Sequence, residues 1–277
     1  MSAGGQLHYQ REGEGEPLVL LHGIGGELCV WEPVVGVLAG RRDVIAVDLP
    51  GFGRSPALPE GVVPTPQALA GAVGGLMDEL GIERAHVAGN SLGGWIALEL
   101  ARSGRAVSVV GLCPAGLWGA PLLPAGAAAG ATRGRAHRVV RRLRPILPAV
   151  LLSRRARRLA LGAFVANPDR VPYHAAWRMV RSYGRGTAYE ATSTAMRQGH
   201  FSSPEEIRVP VTLGFGEFDR LIRPVRVEGF RSVMMPGCGH VPMWDDPQLV
   251  SELCLAGSGG ATGRDLRGMP SVSVSSR

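Results

Sequence analysis

Ala85-His86-Val87-Ala88-Gly89-Asn90-Ser91-Leu92-Gly93-Gly94 is the stretch from which the rest of the chain is read. Ala85 to Ala88 is a short apolar run of the strand type, and Leu92 to Arg102 has the length and apolar spacing of a helix. Gly89 and Gly93 stand two positions either side of Ser91, so the serine occupies a sharp strand-to-helix turn, the context in which a G-x-S-x-G match carries meaning. A serine on such a turn takes an unfavourable backbone conformation, and neighbours two residues away must lack bulk, which the glycines supply. The helix beginning at Leu92 presents free backbone N–H groups and a positive dipole end to any oxyanion formed on Ser91. Asn, Ser and Gly also make ordinary turns and helix caps, so the pattern needs support from elsewhere in the chain.

Outward from this turn, short apolar runs recur at Leu18 to Leu21, Val44 to Val47, Val107 to Leu112, Val209 to Phe215 and Ser232 to Met235, with helical segments such as Pro66 to Leu80 between them. Runs of this kind read as strands buried on both faces, and their alternation with helices predicts an α/β fold with a mostly parallel sheet. A first strand around Leu7 to Gln10, followed by Gly13 and Gly15, predicts an antiparallel hairpin at the sheet edge. From Ala115 to about His200 the strand rhythm stops. The expected organisation is therefore a core formed by residues 1–114 and 201–256, a helical cap inserted at 115–200, and a disordered Gly/Ser-rich tail at 257–277. Within the insertion Ala136, Val139, Val140 and Leu143 follow the spacing of an apolar helix face, which Pro145 ends.

All thirty basic residues are arginine, and the formal net charge is +7. A basic balance raises nucleic acid or anionic surfaces as partners, but no nucleic-acid motif accompanies the charge, and nucleic acid is not expected. No acidic residue occurs between Glu99 and Asp169, whereas ten arginines lie from Arg133 to Arg158. Such a segment either steers an anionic substrate, rests on an acidic membrane surface, or is a solvated helix face. Cys29, Cys113, Cys238 and Cys254 are far apart and form no metal-ligand spacing, so free buried thiols and no metal site are expected. No leader pattern opens the chain and no long apolar run could span a membrane, so a cytoplasmic location without a transmembrane segment is expected.

Four further segments join the serine turn: His22-Gly23-Ile24-Gly25-Gly26 after the first apolar strand; Asp48-Leu49-Pro50-Gly51-Phe52-Gly53-Arg54-Ser55 after the next; Gly214-Phe215-Gly216-Glu217-Phe218-Asp219; and Gly237-Cys238-Gly239-His240 with Asp246-Pro247. Together, and in this order, they resemble the α/β-hydrolase fold family, in its lid-bearing branch of esterases, C–C bond hydrolases, perhydrolases, dehalogenases and epoxide hydrolases. The resemblance covers residues 7–114 and about 204–255 and leaves the insertion and tail outside. It implies an eight-stranded sheet and a hydrolase that needs neither cofactor nor metal. It further implies Ser91 as nucleophile, Asp219 as acid and His240 as base, with His22 structural. The backbone N–H groups of Leu92 and Ile24 would form the oxyanion hole, with Gly25 the alternative to Ile24.

A serine hydroxyl needs a base to take its proton, and that imidazole needs a fixed carboxylate on its far side. Glu217, two residues before Asp219, competes for the second role; His8, His86, His137, His174 and His200 read as surface or packing residues, and Asp48 as an anchor for its own turn. Asp245 and Asp246 read as caps of the last helix. A serine at position 91 argues against the dehalogenase and epoxide hydrolase branches, whose nucleophile is a carboxylate. The expected substrate is a small acyl compound, anionic if the arginines of the insertion steer it, most simply a carboxylic ester; C–C hydrolysis, thioester hydrolysis and perhydrolysis use the same triad. A ligand-binding protein without catalysis is the reading from another class. The oligomeric state is not legible, and Trp95, Trp118, Trp177 and Trp244 read as fillers between lid and core.

Overall fold

The computed structural model describes residues 6–123, 133–143 and 145–259. Seven strands form one sheet in the order β1-β3-β2-β4-β5-β6-β7: β1 Tyr9–Glu12, β2 Pro17–Leu21, β3 Asp43–Val47, β4 Ala85–Asn90, β5 Ala106–Leu112, β6 Val211–Gly216 and β7 Arg231–Met235. All neighbours pair in parallel except β1 and β3. The seven runs read from the residues are thus present. The eighth strand implied by the resemblance has no counterpart among the described residues, where β1 is the edge.

The expected hairpin also differs. β1 is antiparallel at the edge, but it pairs with β3, Tyr9 opposite Val47 through Glu12 opposite Val44. β2 is paired on both sides, by β3 and β4, and is almost wholly buried, whereas β1 is largely exposed and suits only an edge. The chain crosses from β1 to β2 through Gly13, where a Cβ would stand 2.3 Å from the Arg42 carbonyl oxygen.

Strand alternation divides the core into two layers. Val19, Leu21, Ile45 and Val87 face α2 (Pro66–Glu79) and α3 (Leu92–Arg102), while Leu18, Leu20, Val44 and Ala88 face α1 (Glu32–Ala39) and the last helix, Pro247–Gly257. The chain moves from β2 to β3 on one side and then crosses to β4 on the other, so the carboxyl ends of β2 and β4 flank the point where strand order reverses. Open α/β sheets present a crevice there, and the His22–Gly26 loop and Ser91 follow these two strands.

Between β5 and β6 run α4 (Arg133–Leu143), α5 (Leu147–Val150), α6 (Arg154–Leu161), α7 (Tyr173–Arg185) and α8 (Tyr189–Gln198). The last helix is α9 (Pro247–Gly257), capped by Asp246 Oδ1 accepting from the Leu249 N–H. The expected tail beyond Gly259 lies outside the described residues. Of the apolar stripe read on α4, only Val140 packs inward, toward α7 at Gly184; Val139 and Leu143 are exposed, the side chain of Ala136 lies outside the description, and His137 is the buried residue. His137 is drawn inward by stacking on Tyr189, with centroids 4.4 Å apart and planes 7° from parallel.

Candidate active site

Ser91 has φ 55° and ψ −114°, a positive-φ conformation that non-glycine residues rarely take. The turn leaves no room for side chains around it. A Cβ on Gly89 would stand 2.1 Å from the Gly93 carbonyl oxygen, and one on Gly93 would stand 2.2 Å from that of Leu21. The Ser91 N–H donates to Leu112 O at 2.9 Å, and Ser91 O accepts from the Gly94, Trp95 and Ala115 N–H groups, so tertiary contacts hold the strained residue. Leu92 is the first residue of α3, where an N–H has no intrahelical acceptor.

The loop after β2 lies against this turn: a Cβ on Gly23 would be 3.1 Å from Ser91 Cβ. Gly26 N–H donates to Gly23 O at 3.0 Å, closing a turn in which Gly25 has φ +75°. Among the described residues, the N–H groups of Ile24 and Gly25 have no hydrogen-bond acceptor. His22 braces the loop. Its Nε2 accepts from the Leu49 N–H at 2.9 Å, which leaves the ring proton on Nδ1, 2.8 Å from Gly23 O. Burial, opposed by the nearby Asp48 charge, holds the His22 pKa below the usual imidazole value. Asp48 anchors its own turn, accepting from the N–H groups of Leu28 at 2.7 Å and Arg54 at 2.9 Å.

Asp219 and His240 come from loops after β6 and β7. His240 Nδ1 and Asp219 Oδ2 are 2.8 Å apart, and Asp219 Oδ1 accepts from the N–H groups of Leu221 at 2.7 Å and Ile222 at 3.1 Å. The Asp219 side chain is 1% exposed. Burial alone would raise its pKa, but the hydrogen bond and charge of His240 and the two backbone donors bring it below the ordinary carboxylate value. Glu217 is directed elsewhere, its Oε2 accepting from the Gly237 N–H at 2.9 Å. The two loops approach because position 216 is glycine: a Cβ there would be 2.2 Å from the Gly239 carbonyl oxygen.

Three contributors were not legible as site residues. Asn90 Nδ2 donates to His240 O at 2.8 Å and to Leu112 O at 3.1 Å, tying the histidine's main chain to the strand that carries Ser91. Asp245 does not cap α9 as expected; it accepts from the N–H groups of Gly239 at 2.8 Å, Ala166 at 3.0 Å and Asn167 at 3.0 Å. It therefore joins the His240 loop to the segment after α6. Cys113, with φ 47°, is buried beneath the acid, its Sγ accepting from the Gly216 N–H at 3.4 Å and facing Gly239 O at 3.6 Å. Cys113, Asp219 and His240 offer potential metal-ligand atoms within 4.8 Å of one another. Burial, reinforced by the Asp219 charge, raises the thiol pKa well above its usual value. A neutral thiol is a poor metal ligand, and this set reads as a hydrogen-bonded support for the acid. The only cue in the sequence for Asn90 and Asp245 was adjacency to Ser91 and to the last helix.

The segment between β5 and β6 packs against the loop after β2, the Asp48 turn and the His240 loop. A Cβ on Gly25 would meet the Tyr183 ring at 2.7 Å, one on Gly51 would meet Ala188 Cβ at 2.4 Å, and Val241 N–H donates to Phe164 O at 2.7 Å. Trp95 and Trp118 pack edge to face at 5.6 Å, and Trp118 Nε1 donates to Gly199 O at 2.8 Å where the segment rejoins the core.

Comparison with known proteins agrees with this architecture. The sequence model of the Alpha/beta hydrolase family matches residues 18–253. Epoxide hydrolase EphH of Mycobacterium tuberculosis is 34% identical over 199 residues, 64% of this chain and 87% of that protein. The 2-hydroxy-6-oxo-6-phenylhexa-2,4-dienoate hydrolase of Comamonas testosteroni is 46% identical over 102 residues, and the match spans 34% of each chain. Among solved structures, an esterase from Thermogutta terrifontis superposes with a TM-score of 0.66 at 23% identity, covering 88% of this chain and 90% of that one. No helix among the described residues is long and apolar enough to cross a membrane.

Proposed function

The chain belongs to the alpha/beta hydrolase family, and on that premise we propose that it is a serine hydrolase cleaving a small carboxylic ester through an acyl-enzyme. Ser91 is the nucleophile, His240 the proton carrier and Asp219 the orienting carboxylate. The observation that carries this reading is the 2.8 Å Asp219–His240 hydrogen bond, in a loop that Asn90 ties to the strained Ser91 turn.

With its Nδ1 proton held by Asp219, His240 has Nε2 free to accept the Ser91 proton as Oγ attacks the ester carbonyl carbon. The carbonyl oxygen becomes an oxyanion, which the N–H groups of Leu92 and of Ile24 or Gly25 stabilise. Collapse breaks the bond to the alcohol, which leaves with the proton from His240. Water then attacks the Ser91 acyl ester, again giving its proton to His240, and the carboxylic acid departs as Ser91 is restored. Asp219 stays ionised and offsets the imidazolium. Residues 115–200 form the cap that encloses the acyl group, over a core of residues 1–114 and 201–256.

The epoxide hydrolase relative raises ring opening as another chemistry, but the nucleophile decides against it. A serine that opened an epoxide would form an ether, which water attack at a carbonyl cannot release, whereas a carboxylate would form a hydrolysable ester. A second reading, cleavage of a carbon–carbon bond beside a carbonyl, draws on the identity to the Comamonas testosteroni hydrolase. Hydrolysis of a short-chain chromogenic ester by the wild type, abolished in a folded Ser91→Ala variant, is the expected result. Turnover only of a vinylogous diketone probe favours the carbon–carbon reading. No turnover on a panel of esters, thioesters and diketones would favour a non-catalytic binding protein.

A further inference from the structure

Residues 138–143 and 145–159 carry an exposed surface that no other described residue covers. Its inward anchors are Leu147 and Leu151, both buried. Exposed are Val139 and Leu143 on α4, Ile146 and Val150 around α5, Leu152 in the turn that follows and Leu159 on α6, with Leu152 66% and Leu159 86% exposed. The pairs 139/143 and 146/150 are each four residues apart, so each forms a continuous apolar strip on its helix. Leu159 lies four residues after Arg155 on α6, so the two share one side of that helix.

Arginines interleave these aliphatics. Among the described residues, no carboxylate lies within ion-pairing distance of Arg141, Arg142, Arg154 or Arg155. Two other arginines of the segment are paired, Arg138 with Glu190 and Arg158 with Asp169, as Arg11 is with Asp43 and Arg102 with Glu99 in the core. A solvated helix face accounts for the arginines but not for six exposed aliphatics among them. Long cationic side chains beside exposed Leu, Ile and Val match the boundary of a bilayer, where acyl chains lie just beneath anionic headgroups.

We propose that the outward surface of segment 138–159 docks on an anionic lipid membrane. Its aliphatics enter the acyl boundary and its unpaired arginines meet the headgroups. Soon after α6 the chain reaches Phe164, Ala166 and Asn167, which are hydrogen-bonded to Val241 and Asp245 of the His240 loop. Docking therefore takes place on a segment joined directly to the candidate active site. The inference goes beyond the hydrolytic reading and does not depend on it.

Flotation of the full chain with vesicles tests it. Binding is expected to vesicles of phosphatidylcholine containing one quarter phosphatidylglycerol, not to phosphatidylcholine alone, with release at high salt. Leu152→Asp/Leu159→Asp should abolish binding. Arg154→Gln/Arg155→Gln should weaken it by roughly tenfold or more, at about 1 kcal/mol per basic residue near an anionic surface. Arg208→Gln/Arg226→Gln, exposed arginines elsewhere, should leave it nearly unchanged. The circular-dichroism spectrum and thermal midpoint of all three should stay close to wild type, showing that they fold. Ser91→Ala should bind as wild type, so loss of the catalytic reading alone would leave this result standing. Absence of vesicle binding, or equal weakening by the control pair, overturns the proposal. A concentration-dependent dimer that Leu159→Asp dissociates would also overturn it, assigning the face to a second copy of the chain.

Discussion

At Asp219 burial opposes the charge, while His240 and the N–H groups of Leu221 and Ile222 favour it, and the second group prevails. A carboxyl whose folded pKa lies below its unfolded value of about 3.9 contributes stability above that pH and loses it as pH falls through the folded value. The difference in unfolding free energy between wild type and Asp219→Asn should therefore be largest near neutrality and shrink below about pH 4, as measured by denaturant titration. In activity, Asp219→Asn should lose about 10³–10⁴-fold in kcat, whereas Glu217→Gln, turned toward Gly237, should stay close to wild type. Ser91, Asp219 and His240 were legible because each sits in a local pattern of glycines and strand ends. Asn90, Cys113 and Asp245 were not, because their partners lie far away in the chain: Asn90 meets the His240 carbonyl, and Asp245 meets Ala166 and Asn167.

Among the elements, the strand-to-helix turn at Ser91 is the most constrained. Gly93→Ala would drive a methyl to 2.2 Å from the Leu21 carbonyl oxygen. A loss of roughly 1–3 kcal/mol or more is expected for such overpacking, seen as a lowered Tm. Helix α4 offers the opposite case. His137 is buried and, among the described residues, both its ring nitrogens lack a hydrogen-bond partner; its pKa is lowered by burial, with Glu190 opposing and Arg141 assisting. A histidine neutral in the fold contributes stability above its unfolded pKa of about 6.5 and loses it as pH falls toward the folded value. His137→Phe keeps the stacking surface without the unpaired nitrogens. It should raise stability by about 1 kcal/mol at pH 7 and flatten the decline between about pH 6.5 and 5, as checked by thermal unfolding across pH. Central strands and α3 were legible because burial on both faces and apolar helical spacing are local properties. The inward face of α4 was not, since the Tyr189 stack that selects His137 comes from a helix some fifty residues later. The partner of β1 was hidden for the same reason.

For the whole molecule, the fold places the loops after β2 and β4 at the reversal of strand order and the Asp219 and His240 loops beside them, so the candidate site is a consequence of topology as much as of motif. The net charge of +7 and the arginines at 141, 142, 154 and 155 create a field that attracts anions, and salt screens such fields within about 10 Å at 0.1 M. Turnover of an ester bearing a second, free carboxylate should therefore fall with rising salt while that of a neutral ester of the same acyl length stays level, in steady-state kinetics; equal responses would remove steering from the account. The most direct measurement of the central claim is covalent trapping with a fluorophosphonate, followed by trypsin digestion and mass spectrometry. Cleavage after Arg84 and Arg102 isolates residues 85–102 with Ser91 as the only hydroxyl side chain. A single adduct on that peptide, absent in Ser91→Ala and formed far more slowly in His240→Ala, is the predicted result. Ester turnover that persists in Ser91→Ala, or an adduct on another peptide, would contradict it.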